Sequence, residues 1–410
     1  MVSKLDVVLT VGLLPKSSPK AVLEKMGKKS VLYNSIYNLL AALEAAGTVK
    51  KDGEKYSLAE TVPAKRLFWL VYFCFKNGID YNAIISEKAA AFVKKGLESM
   101  SIKGLPFHPK TVQKILAVLS RHGFVVVESK KPFVCRIVYS KFLEALVEHF
   151  FGKPNVACYD FLDCVNEEKV NSQLEKEFSA FKRLSKKPLD FDEIGFIHSS
   201  LSLEGNTLTL PETEKLIKEH IPPKSKPFKD AQQVTDYKKA IDNFIYSDSE
   251  LNLENVLEFH RTAMNSLQAG AGEIRRQNVR IKGNPKFRTP DWKQVPELLT
   301  GFFGSTEQAL EQKKISASQL VEKAAFLHNE FQRIHPFVDG NSRTARAIFT
   351  KFLAEKGFPL IKIPIGFSEQ YMKLTKLSEK RDDKKFAVLM KQITLENLAI
   401  ASQKIKYSAE

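Results

Sequence analysis

Cysteine is scarce in this chain, with four in 410 residues: Cys74, Cys135, Cys158 and Cys164. Their spacing matches no zinc motif and is too thin for a disulfide framework, so they read as reduced, structural thiols. Long apolar runs are missing too. The densest, residues 67–75, falls far short of the ~20 residues a membrane span requires. The apolar stretch 5–14 is interrupted by Asp6 and has no clear small-residue cleavage site, which makes it a poor signal peptide. No low-complexity tract occurs. Together these absences predict a soluble, cytoplasmic protein with no membrane partner.

Acidic residues are in the minority: 47 Asp and Glu face 63 Lys and Arg, a net charge of +16. The excess is uneven. Residues 1–150 hold 23 Lys and Arg against 12 Asp and Glu; the remaining 260 hold 40 against 35. A basic front third attracts phosphate backbones or acidic surfaces, although a solvated lysine-rich surface accounts for the same numbers. A length of 410 residues calls for two or three domains. Hydrophobic residues at 43% argue against wholesale disorder.

Two stretches of the front third share one pattern. Ile36, Leu39, Leu40 and Leu43 lie at one-face helical spacing, and so do Val112, Ile115, Leu116 and Leu119. A glycine follows four residues after each, Gly47 and Gly123, where a helix C-cap belongs. Residues 48–58, with an Asp52-Gly53 turn, then read as a hairpin, and residues 124–139 read as strand, turn, strand. Helix, glycine and basic hairpin form the second half of a winged helix, and both stretches resemble winged helix-turn-helix domains. Such a domain would set its helix in a major groove and its hairpin on phosphates. Lys28, Lys29, Ser30, Asn34, Lys50, Lys51, Lys110 and Lys114 are then candidate contacts to double-stranded DNA. Winged helices also bind protein or each other; the charge asymmetry favours DNA.

The chemistry concentrates in residues 335–346, His-Pro-Phe-Val-Asp-Gly-Asn-Ser-Arg-Thr-Ala-Arg. Leu320, Ala324, Leu327 and Phe331 mark a helix face before it, and Ala345, Ile348, Phe349 and Phe352 mark another after it. The stretch is therefore a tight loop, with Asn341, Ser342 and Arg343 at the N-terminus of the second helix. The free N–H groups and dipole of that terminus suit a phosphate. Gly340 lets backbone approach closely. Arg343 and Arg346, three apart, can grip outer phosphates of a nucleotide. Asp339 offers a hard oxygen to Mg²⁺. His335 can take a proton from an attacking hydroxyl. Singly these residues read as a turn and an ordinary surface; the ordered set within twelve positions carries the signal.

The stretch resembles the Fic signature, H-x-F-x-[D/E]-G-N-G-R-x-x-R, at His335, Phe337, Asp339, Gly340, Asn341, Arg343 and Arg346. Ser342 stands where that family usually has glycine. A left-handed backbone there would cost serine ~1 kcal/mol, and its hydroxymethyl would crowd or bind a phosphate. Upstream, residues 200–206 resemble the family's inhibitory motif, with Ser200, Glu204, Gly205 and Asn206. Residues 272–288 resemble the hairpin flap on which targets dock, with Arg275, Arg276, Val279 and Ile281 as candidate contacts.

The resemblance, over about residues 165–400, implies a protein adenylyltransferase that moves AMP from ATP, with Mg²⁺, onto a Tyr, Thr or Ser hydroxyl of a protein. It implies that Glu204 pairs with Arg346 and so withholds the γ-phosphate clamp. The expected fold is mainly α: an all-helical Fic core with a β-hairpin flap, preceded by two α+β winged-helix domains. Expected boundaries are 1–60, 61–150 with a linker helix, and 151–410 with its core at about 190–400. Removal of AMP, transfer of another group, and a DNA-binding regulator with a weak Fic domain stay open. So does a homodimer.

Overall fold

The computed structural model describes residues 2–14, 16–27, 33–99, 101–104, 107–157, 160–184, 192–281, 284, 286–375 and 380–408. The chain divides into two units, Met1–Tyr159 and Asp160–Glu410.

In the first unit, α1 (Lys4–Leu13) starts at a reciprocal cap between Ser3 and Asp6, and α2 (Pro19–Met26) at the Ser18 hydroxyl. Next comes α3 (Tyr33–Ala45), with Ile36, Leu40 and Leu43 buried. Gly47 follows with a φ of 67°, the left-handed cap foreseen from spacing. Strands β1 (Val49–Asp52) and β2 (Lys55–Leu58) form an antiparallel hairpin. Its two-residue loop is Gly53-Glu54 rather than Asp-Gly. Asp52 stays in the ladder opposite Lys55, and Gly53 takes the positive φ of 59° that a primed turn demands at its first position. Ser17 makes a bridge to Tyr56 on the open edge. Asn34, Lys50 and Lys51 are exposed; Lys28, Lys29 and Ser30 lie outside the described residues.

The unit continues through α4 (Val62–Lys76), α5 (Tyr81–Ile84), α6 (Glu87–Leu97), β3 (Ile102–Lys103), α7 (Pro109–Arg121), β4 (Val125–Lys130), β5 (Phe133–Ile137) and α8 (Lys141–Phe151). The sheet order is β3-β5-β4. Val112, Ile115 and Leu119 are buried on α7, and Gly123 caps it at φ 74°. Among the described residues α7 is the single helix between β3 and β4, whereas α2 and α3 both lie between the Ser17 bridge and β1. Lys110 and Lys114 are exposed. Cys74 and Cys135 are buried free thiols, Cys164 is a half-buried one, and Cys158 is outside the described residues.

The second unit is helical: α9 (Glu167–Leu184), α10 (Glu193–Ser202), α11 (Leu210–Glu219), α12 (Phe228–Phe244), α13 (Leu253–Met264), α14 (Val295–Glu311), α15 (Ala317–Ile334), α16 (Asn341–Glu355), α17 (Ser368–Leu374) and α18 (Asp383–Ser408). Helix α15 packs on α9, α14, α16 and α18, and α12 packs on α13. Helix α16 is the central one. Every residue from Asn341 to Leu353 is buried except half-buried Ser342, so whatever polar groups it carries must find partners inside. Between α13 and α14 runs the flap, whose antiparallel pairing is a bridge between Arg280 and Arg288. The proline-rich stretch 222–227 joins α11 to α12 as a loop. Among the described residues no helix is long and apolar enough to cross a membrane.

Candidate active site

Helix α15 ends at His335, whose φ of 51° and ψ of 57° are left-handed. A non-glycine residue pays ~1 kcal/mol or more for that conformation, so something must hold it. Arg275 does. Its Nε donates to the His335 carbonyl at 2.7 Å, Nη1 to the Gln277 carbonyl at 2.9 Å and Nη2 to the Pro290 carbonyl at 2.7 Å. Its backbone N–H donates to the Pro336 carbonyl at 2.8 Å. Arg275 is 2% exposed. The expectation that it contacts a docked target is thereby corrected: all its donors that bond are spent on backbone carbonyls, and it pins the flap to the loop. Arg276 is exposed, Val279 and Ile281 half-buried; of these four flap residues Ile281 lines the cleft.

His335 places Nδ1 3.2 Å from the Gln332 carbonyl. With the proton on Nδ1, as that partner requires, Nε2 keeps its lone pair. Burial pushes the imidazole down to about 4, against the pull of the Gln332 carbonyl and with a further push from Arg275. At neutral pH the ring is a neutral base.

Asn341 closes the loop. Its Oδ1 accepts from the Phe337 N–H at 3.0 Å and its Nδ2 donates to the Phe337 carbonyl at 2.9 Å. The side chain expected to reach a phosphate is therefore committed to its own loop, which leaves the backbone N–H of Asn341 as its group suited to an anion. Gly340 caps α16 at φ 84°. A Cβ there would lie 2.8 Å from His260 Nε2 and from Met264 Sδ, so glycine is required twice over. Asp339 Oδ1 accepts from the Gly340 N–H at 2.7 Å, and its side chain is 67% exposed. Ser342 belongs to α16 with an ordinary helical backbone. The strain anticipated for serine at this position does not arise, and its side chain lines the cleft.

The two signature arginines differ. Arg343 is 4% exposed. Its Nη2 lies 3.5 Å from Asp339 Oδ2, while Nε and Nη1 are buried without a partner. A guanidinium so enclosed costs several kcal/mol unless an anion meets it. Arg346, 5% exposed, is saturated instead. Its Nε donates to Ser200 Oγ at 2.8 Å, and Nη2 donates to the Ser200 carbonyl at 2.9 Å and to Glu204 Oε1 at 2.8 Å. Glu204 arrives there because the turn that follows α10 closes at Gly205, φ 91°. The Asn206 N–H then returns to the Leu201 carbonyl. The Glu-Gly-Asn run is thus a helix cap and a carboxylate mount together. The turn is tied to α12: Asn206 Nδ2 donates to the Asp230 carbonyl at 3.0 Å and to Gln233 Oε1 at 2.7 Å, and Thr207 N–H and Oγ1 donate to Asp230 Oδ2 at 3.0 and 2.5 Å.

Two histidines escaped the sequence reading. His260, fully buried on α13, stacks on Phe337 with centroids 3.6 Å apart. His328, fully buried on α15, bonds Tyr371 Oη at 2.9 Å, and that hydroxyl lies 3.5 Å from Arg346 Nη1. Each occupies an otherwise apolar helix face, with Val256, Phe259 and Ala263 or with Ala324, Leu327 and Phe331. A polar residue in such a stripe was the available signal.

The loop borders a cleft of about 430 Å³, lined by His335, residues 338–342, Glu204, Arg280, Ile281, Leu374 and Arg381 among others, with neither Arg343 nor Arg346 in its lining. The second signature arginine sits behind Glu204. Among the described residues no cluster of three His, Cys, Asp or Glu could hold a metal by itself. Exposed Asp339 fits a metal that takes one protein carboxylate and completes its shell with phosphate and water, the habit of Mg²⁺.

Residues 250–353, from α13 through α16, match the family model of the Fic/DOC family. Curated relatives include the protein adenylyltransferase Fic of Drosophila ananassae, 24% identical over 373 residues, covering 87% of this chain and 68% of that protein. Its counterpart in Drosophila mojavensis is 25% identical over 373 residues, covering 87% and 67%. Among solved structures, a Fic-domain-containing signalling protein from Bacteroides thetaiotaomicron superposes with a TM-score of 0.50 at 20% identity, over 57% of this chain and 98% of that one. The residues that match the Fic/DOC family thus include the loop and both arginines of the signature.

Proposed function

We propose that this chain is a protein adenylyltransferase held in check by Glu204. The observation that carries the reading is Arg343: a buried guanidinium with two unpartnered nitrogens, beside the N-terminus of α16 and across the loop from a neutral histidine. Such a site asks for a polyphosphate. The relatives named as protein adenylyltransferases support ATP as its source.

The backbone N–H groups at the start of α16 and the Ser342 hydroxyl receive the α-phosphate. Arg343 takes the β-phosphate. Mg²⁺, held by Asp339, would screen the phosphate charge. A target segment lies along the flap as an added strand. Its Tyr, Thr or Ser oxygen bonds to the α-phosphorus, the bond from that phosphorus to the bridging oxygen of the β-phosphate breaks, the hydroxyl proton passes to His335 Nε2, and pyrophosphate leaves. Preorganised charge does most of the work. While Arg346 is saturated by Glu204 and Ser200 it cannot grip the γ-phosphate, and nucleotide binds unproductively.

Labelled ATP with Mg²⁺ tests this. Glu204→Gly should raise auto-modification by about tenfold or more, the scale of one lost charge-assisted bond. Adding His335→Ala should abolish it. Full labelling in the double variant would sink the assignment. Loss of AMP from a modified target, dependent on Glu204, would point to the reverse reaction.

We also propose that the first unit binds double-stranded DNA. Support comes from the basic excess of residues 1–150 and from the exposure of Asn34, Lys50 and Lys51 on the helix and hairpin that a winged helix presents. Binding should weaken linearly in log affinity against log salt, and Lys50→Glu with Lys51→Glu should remove most of it in a mobility-shift titration. A shift unchanged by the two substitutions would reject this hairpin as the contact, and no shift by the unsubstituted protein would reject DNA as the partner.

A further inference from the structure

We infer that His260 is a positioning residue that sets the flap and the phosphate loop together, through two hydrogen bonds of opposite sense on one imidazole. The ring lies fully buried. Nδ1 accepts from the Gly272 N–H at 2.8 Å, at the root of the flap. Nε2 lies 2.9 Å from the Asp339 carbonyl, in the phosphate loop. An amide N–H can only donate and a carbonyl can only accept, so these partners fix the neutral tautomer with its proton on Nε2. Its face stacks on Phe337, 10° from parallel, and Phe337 is the residue whose backbone Asn341 grips with both ends of its amide.

The consequence is geometric. The Asp339 carbonyl bonded to His260 belongs to the peptide that leads into Gly340. Holding that carbonyl inward turns the Asp339 carboxylate out to the cleft and sets the first N–H groups of α16. Holding Gly272 fixes where the flap leaves α13, three residues before Arg275 pins it again to Pro336 and His335. Arg275 ties flap to loop at His335; His260 ties them at the peptide between Asp339 and Gly340. Gly340 must lack a Cβ in order to pass His260, so the loop is built around this ring.

The inference rests on the adenylyltransferase reading for its meaning, but its test uses binding and exchange, which do not require transfer. In Asn, Oδ1 sits where His has Nδ1; in Gln, Nε2 sits where His has Nε2. His260→Asn therefore keeps the acceptor for Gly272 and loses the donor to Asp339, and His260→Gln does the reverse. In a Glu204→Gly background, calorimetry with ATP and Mg²⁺ should show about tenfold weaker binding for the Asn variant and a change within about twofold for Gln, because only the Asn variant loses the bond that orients the phosphate loop. Amide exchange at Gly272 should stay slow in the Asn variant and quicken about tenfold or more in Gln. A merely structural role predicts equal damage from both. Equal effects of the two substitutions, or none, would overturn the inference. Should either variant fail to fold, the unsubstituted protein still decides: a ring protonated on Nδ1 by nitrogen NMR, or fast exchange at Gly272, contradicts it. A Glu204→Gly parent that binds ATP yet labels nothing would count against the proposed activity and leave these readouts intact.

Discussion

A side chain at Gly340 would meet His260 and Met264 at 2.8 Å while asking an L-residue to hold φ 84°. Gly340→Ala should therefore destabilise the second unit by about 2–4 kcal/mol, the sum of left-handed strain and overpacking. Urea unfolding measures it, and a loss under 0.5 kcal/mol would show that the loop yields. The roles of single residues were unevenly legible in the sequence. Asp339, Gly340, Arg343 and Arg346 announced themselves because phosphate chemistry needs those types at that spacing. Arg275 read as a surface cation because only the folded chain reveals three backbone carbonyls converging on it. Asn341 looked like a ligand contact, and its amide proved to be the clasp of its own loop. Residue type told of capacity; partners decided its use.

Helices α15 and α16 could be read from their apolar period, and so could the loop between them. Strand β3 could not, since two residues are too few to alternate. Nor could the tie between the Glu204 turn and α12, which depends on Asp230 reaching Thr207 from 23 positions away. That tie governs how firmly the carboxylate is presented to Arg346. Asp230→Ala removes both Thr207 bonds without touching the cleft, and it should raise auto-modification by about two- to tenfold, less than Glu204→Gly, because the turn loosens while the carboxylate remains. Rates at saturating ATP would measure it. A rate equal to the parent's would mean that Asn206 and Gln233 suffice to hold the turn.

Across the whole chain, acid should act on the second unit through its buried imidazoles. Burial pushes His328 down to about 3, with Arg346 adding to it against the bond from Asn329; it pushes His335 to about 4. Unfolded, each takes its proton near 6.5. Between pH 6.5 and about 4 the unfolded chain then binds more protons than the folded one, so stability is full above 6.5 and falls as pH drops, by up to ~1.4 kcal/mol per pH unit for each group. Urea midpoints at pH 7.5, 6 and 5 would show the decline; His328→Phe, which cannot titrate, should flatten it in part. The pair between Glu204 and Arg346 joins positions 142 apart, and that separation has a direction. A ribosome releases Glu204 well before the arginine it pairs with, and His335 emerges only eleven residues ahead of that arginine. On the proposed reading, the restraining carboxylate is therefore on the nascent chain before the cleft is complete.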